Sequence, residues 1–122
     1  MTYSKAIELV DERTANGYTT DDKVRWLMQL DQKIYDELIA THEQPRPCHR
    51  PEDCSPEDAL LVREPYAEDI YINFLQARIA KENEETAKYN VAITLYNAAY
   101  ADFAKLYNRQ YRPRSQRNHF RF

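Results

Sequence analysis

Glycine is almost missing from this sequence: of 122 residues, only Gly17 is one. That scarcity excludes glycine-built phosphate loops, which need several positions where the backbone can approach a ligand closely or take positive φ. It excludes the G-x-S-x-G nucleophile elbow for the same reason, and no H-E-x-x-H occurs. Carboxylates are plentiful, as in Glu82, Glu84 and Glu85 or Glu52 and Asp53, but runs of this kind read as solvated faces. The chain is therefore read as no enzyme, with no cofactor and no catalytic residue. Cysteine is scarce too. Cys48 and Cys54 stand in CHRPEDC, with His49 between them and His42 nearby. A C-x5-C pair with one adjacent histidine lacks the four ligands and the spacing of a zinc site, so the two read as incidental thiols, a loop disulfide being the alternative in an oxidising exterior. No apolar run approaches the ~20 residues that a membrane span needs, and no apolar leader follows Met1, so the expectation is a soluble chain made in a cytosol, with no membrane partner.

Positive charge is thin over most of the chain and concentrated at its end. The formal net charge is −3, yet residues 109–122 hold Arg109, Arg112, Arg114, Arg117 and Arg121 with no acid, which leaves −8 on the remainder. An acidic body carrying a basic tail points to a tail that serves a partner.

The alternating β-branched patterns that strands require are also rare, while helix formers abound. The fold class is all-α, a small bundle of about four helices in a single domain. Residues 1–41 form an N-terminal helix pair. Thr2 caps the first helix, whose apolar face is Tyr3, Ala6, Ile7 and Val10 and which Asn16-Gly17 ends. Thr19 and Asp22 open the second, which runs to about Thr41 with Val24, Leu27, Met28, Leu30, Ile34, Tyr35, Leu38 and Ile39 on one broad face. Residues 42–65 hold five of the six prolines and form a long arm; Leu60, Leu61 and Val62 are its apolar patch, expected to lie against a helix or to anchor on a neighbouring subunit. Residues 66–111 form a C-terminal antiparallel hairpin. Its first helix starts at Tyr66 after Pro65 and turns Ile70, Tyr71, Phe74, Leu75, Arg78 and Ile79 inward. KENEET, from Lys81 to Thr86, has no apolar residue and faces water; a turn near Asn83 is the favoured reading and gives the hairpin, and a continuous helix, which would give a solvated rod, is the alternative. On the last helix Tyr89, Ile93, Tyr96, Tyr100, Phe103 and Tyr107 recur at heptad-like steps, flanked by Ala92, Leu95, Ala99 and Leu106: a core seam whose tyrosine hydroxyls suit a wet rim or an interface beside the core. Arg112-Pro113 stops the helix, and 112–122 is an extended basic tail. The expected core is Leu27, Ile34, Leu38, Phe74, Leu75, Ile93, Tyr96 and Phe103.

Pro65-Tyr66, Glu68-Asp69, Ala77-Arg78-Ile79, the acids from Glu82 to Glu85, Tyr89-Asn90, Tyr96-Asn97 and Tyr107-Asn108-Arg109 follow one another in an order that resembles the head–tail connector (adaptor, head-completion) proteins of tailed phages and prophages. VRWLMQLDQKIYDEL, from Val24 to Leu38, is similar to that family's second helix. The likeness excludes the proline-rich arm and the last ten residues, and the chain departs from the family by carrying Asn83 where relatives often have glycine. The resemblance implies a virion protein of the phage neck, assembled in the host cytoplasm. It implies a homo-oligomeric ring of twelve subunits below the portal, contacting the portal protein and the next neck or tail-completion protein while DNA passes through the lumen unread. Leu60, Leu61, Val62, Arg112, Arg114, Arg117, Phe120, Arg121 and Phe122 are the expected contacts with portal or neighbouring subunit: the patch offers apolar area, HFRF offers aromatic anchors, and arginine forks meet carboxylates. The alternative is a helical nucleic-acid-binding protein gripping phosphate through the arginine-rich tail, against which the acidic body would act. A helical module binding some other protein is a third reading.

Overall fold

The computed structural model describes residues 1–39, 58–62 and 64–110. Among the described residues are four α-helices and no strand: α1 (Tyr3–Arg13), α2 (Thr20–Ile34), α3 (Tyr66–Glu82) and α4 (Thr86–Gln110), with a π-helical turn over Tyr35–Ile39 following α2. The bundle expected from composition is what forms.

Both early helices start where a threonine side chain can satisfy an orphan amide. Thr2 Oγ1 accepts from the Lys5 amide at 3.1 Å, and Thr19 Oγ1 accepts from the Asp22 amide at 3.1 Å. The end of α1 differs from expectation. The helix stops at Arg13, with the Thr14 amide closing on the Val10 carbonyl at 2.8 Å. Asn16 lies beyond it and folds inward instead: its Nδ2 donates to Asp11 Oδ1 and to the Thr14 carbonyl, and its Oδ1 accepts from the Tyr18 amide. Gly17 has no positive φ and is not a helix cap. The second helix is α-helical to Ile34 and continues as a π-helical turn to Ile39, in which Leu38 stays buried; the expected end at about Thr41 lies outside the described residues.

The middle layer is α3, which α1, α2 and α4 all touch. Ala67, Ile70, Tyr71, Ile72, Leu75, Ala77, Ile79 and Ala80 are all buried along it. A helix covered on several sides shows no single apolar stripe, which is why Ile72 was not foreseen as core. Arg78, expected to face inward, is half-buried and sets its guanidinium 4.9 Å from the centre of the Trp26 ring. Of the expected core, Leu27, Ile34, Leu38, Leu75 and Phe103 are buried together, and Phe74 and Tyr96 pack half-buried against them. Ile93 is half-buried and outside that cluster.

The chain reverses at Asn83 to Glu85, and α3 and α4 form the antiparallel hairpin: the Tyr66 ring meets Phe103 at 5.7 Å near the open end, and Phe74 meets Tyr96 at 5.8 Å midway. The Glu84 amide donates to the Lys81 carbonyl at 3.1 Å and the Glu85 amide to the Ala80 carbonyl at 2.8 Å, the paired bonds of a Schellman stop. The left-handed residue of that stop is Glu84, at φ 60°, and not Asn83.

Residues 58–62 run back along the chain's beginning. The Tyr3 amide donates to the Asp58 carbonyl at 3.3 Å and the Leu60 amide to the Met1 carbonyl at 2.9 Å, around an isolated antiparallel bridge between Thr2 and Ala59. Leu60 and Val62 are 7% and 1% exposed, inside the same core as α1, α2 and α3, and Leu61 packs half-buried against it. Of the two expectations for this patch, lying against a helix is the one this burial matches: the apolar area is held within the chain itself and is not left for a neighbouring subunit. The Glu64–Pro65 peptide that leads into α3 is cis.

Candidate functional site

Two charged side chains on α2 are buried. Asp31 is 4% exposed and Lys23 is 3% exposed, and burying either without partners would be costly. Asp31 Oδ2 accepts from the Tyr3 hydroxyl at 2.9 Å and from the Leu61 amide at 3.0 Å; its Oδ1 accepts from the Tyr71 hydroxyl at 2.5 Å. Tyr71 in turn accepts from the Val62 amide at 2.9 Å. One carboxylate thus ties α1, α2, α3 and the returning 58–62 segment together. Burial, followed by the charge of Asp31 and the hydrogen bond to it, pushes the Tyr71 phenol well above its ordinary value. Lys23 Nζ reaches the half-exposed Asp11 carboxylate at 2.6 Å. Burial works to raise the Asp11 pKa, but hydrogen bonds from Lys23 and Asn16 outweigh it and hold it below the ordinary value. These polar groups are occupied with one another and hold the body in shape.

The outward-facing chemistry lies on α4. It packs along α3 and against no other helix to a comparable extent. Its later half reaches the core through Phe103 and Tyr107, while from Thr86 to Ala98 only Ala92 is buried. Two flanks result. On one, Tyr89, Ile93, Tyr96 and Tyr100 are half-exposed, with the rings of Tyr96 and Tyr100 stacked at 6.1 Å and Phe74 behind. Burial, then Tyr100 and Glu37, pushes Tyr96 up to about 12; burial and Glu37 raise Tyr100 as well. Such rings are rigid and apolar with a polar tip, the combination that suits a surface which partners cover. On the other flank Val91 and Leu95 are 62% and 52% exposed. They edge a groove of about 410 Å³ between α3 and α4, floored by Ile79, Ala80 and Ala92 and closed at one end by Thr14 and Gln76.

Of the residues expected to contact a partner, Leu60, Leu61 and Val62 are placed in or against the chain's own core. Arg112, Arg114, Arg117, Phe120, Arg121 and Phe122 lie outside the described residues, as do Cys48 and Cys54. Sequence reading overlooked Val91 and Leu95 as exposed, and Asp31 and Lys23 as buried. The signal for the buried pair was in the spacing: Lys23, Leu27, Asp31, Ile34 and Leu38 fall at helical steps on one face, so two charges sit in the apolar register. Among the described residues no helix is long and apolar enough to cross a membrane. No protein-family model, curated protein or solved structure matches the chain.

Proposed function

We propose that this chain is a structural assembly protein of the head–tail connector type, a helical subunit that joins others into a ring below the portal of a tailed phage. The observation that carries the reading is the tyrosine flank of α4: Tyr89, Ile93, Tyr96 and Tyr100 stand half-exposed beside the core. The resemblance over residues 24–38 and 65–113 supplies the identity of the assembly. In this reading the flank meets the adjoining subunit, and Arg112, Arg114, Arg117, Phe120, Arg121 and Phe122 reach the portal. Part of the proline-rich arm, 42–57, crosses to a neighbour, and DNA passes through the lumen without base contacts. The compact body anchors these extensions, because the 58–62 segment fixes the arm's return to α1 through backbone bonds.

Electron microscopy of the recombinant chain mixed with a portal from a phage of the same kind tests this. Rings seated on portal, lost when Tyr96 and Tyr100 are both changed to Ser, are the expected result. A chain that forms no ring and ignores portal, yet shifts DNA with a steep salt dependence, establishes the nucleic-acid alternative instead.

A further inference from the structure

The second flank of α4 has a more specific partner. Lys88, Val91, Leu95, Ala98, Asp102 and Lys105 recur at steps of three, four, three, four and three, the spacing of a coiled-coil seam, and all six are exposed. This seam lies on the side of the helix away from the buried Phe103 and Tyr107. Its centre is apolar and its neighbours are small, since Ala87, Thr94 and Ala101 are exposed beside it, so a second helix could approach closely. Val91 and Leu95 are the large apolar side chains that the described residues leave exposed, and they lie on one turn-to-turn line.

We infer that this stripe is covered by the same stripe of a second copy of the chain, the two α4 helices running antiparallel about a twofold axis near Leu95. The charges select that occupant and that direction. Lys88 and Asp102 stand at equal distances along the sequence from Leu95, one on each side. An antiparallel pair brings Lys88 of each copy level with Asp102 of the other, closing both ends of the apolar stretch with opposite charges; Lys105 comes level with Glu85 by the same symmetry. A parallel pair would set Lys88 against Lys88 and Asp102 against Asp102 and is disfavoured. Lys88 is available for this role: among the described residues it is held by an exposed 3.2 Å contact with Glu85, a kind of pair that contributes little. The groove beside Val91 and Leu95 accepts apolar side chains of the second copy.

An isologous pair closes on itself and does not propagate a ring. The inference therefore stands or falls separately from the connector reading. A single helix seam buries roughly 1,000 Å², at the low end for a specific interface, so the pairing is of the weak, concentration-dependent kind and is sought from about 1 μM upwards.

Sedimentation equilibrium of the full chain across that range, at low salt, tests the pairing. The parent should pass from monomer to dimer with concentration, and Leu95→Glu should stay monomeric with an unchanged helical circular dichroism spectrum. Lys88→Glu and Asp102→Lys should each weaken the dimer by about tenfold, and the double variant should recover most of that loss because it restores opposite charges across the axis. A parent that remains monomeric overturns the inference and leaves the stripe to a different protein. A dimer that persists in Leu95→Glu, or a double variant weaker than both single ones, overturns it as well.

Discussion

The hydroxyl of Tyr71 donates a 2.5 Å hydrogen bond to Oδ1 of Asp31, a residue forty positions earlier. Because Tyr71 also accepts from the Val62 amide and Asp31 also accepts from Tyr3 and the Leu61 amide, the bond is the hinge-pin of a buried network that joins three helices to the returning segment.

Removing that hydroxyl leaves a buried amide and one carboxylate oxygen short of a partner. Tyr71→Phe should cost about 1–3 kcal/mol. Asp31→Ala removes the acceptor of three hydrogen bonds at once and should cost on the order of 3 kcal/mol or more. Urea unfolding of both variants checks this; a Tyr71→Phe midpoint equal to the parent's would show that the network contributes nothing net.

Lys23 and Asp11 make an asymmetric pair, the ammonium buried and the carboxylate half-exposed. Lys23→Met should be close to neutral, whereas Asp11→Ala should cost about 1–3 kcal/mol by leaving a buried charge unpartnered. The Asp11 pKa is depressed below the ordinary 3.8, so its contribution is present above that pH and is lost as pH falls through the folded value. Asp11→Asn should flatten the acid limb of the stability profile, and an unaltered limb would contradict the assignment.

Glu84 sits at φ 60° in the α3–α4 turn, where a side chain costs roughly 1–2 kcal/mol. Glycine removes that strain but enlarges the freedom of the unfolded chain, so Glu84→Gly should stabilise by a net of about 0.5–1 kcal/mol. Thermal denaturation reads the gain directly; a lower melting temperature for this variant would mean the turn is not left-handed at that residue.

Tyr96 titrates at about 12 in the folded chain against an ordinary 10.0, and Tyr71 and Tyr100 are shifted in the same direction. The fold thus favours the neutral phenols. The contribution of Tyr96 is complete below the unfolded value and falls away as pH rises from about 10 towards about 12, and Tyr71 and Tyr100 act in the same direction. Phenolate absorbance should show a delayed fraction of tyrosines that unfolding releases, smaller in Tyr96→Phe. A native titration in which every tyrosine ionises together near 10 would refute it.

Much of the body could be read from spacing because its rules are local. Thr2 and Thr19 begin helices by accepting amides within their own first turns, and the face Tyr3, Ala6, Ile7 and Val10 is buried as its period dictates. What escaped reading depends on distant partners. Nothing near Asn16 in sequence announces that its amide will turn back to Asp11 rather than extend α1. Leu60 and Val62 look like exposed stickiness in a proline-rich stretch until the segment is laid beside Met1 and Tyr3, and Ile72 is core only because α3 is covered on several sides. The proposed interaction surface was half visible: the tyrosine seam stands out by residue type, whereas Val91 and Leu95 resemble ordinary core residues, and they are exposed because no helix among the described residues is laid over that flank of α4.

The backbone bonds that fasten Asp58 and Leu60 to Tyr3 and Met1 have a bearing on how this chain can change over time. The bonds run between backbone groups and use the amides of Tyr3 and Leu60 as donors. Proline is thereby excluded at both positions, although Tyr3 opens α1 at a place where proline would otherwise be tolerated.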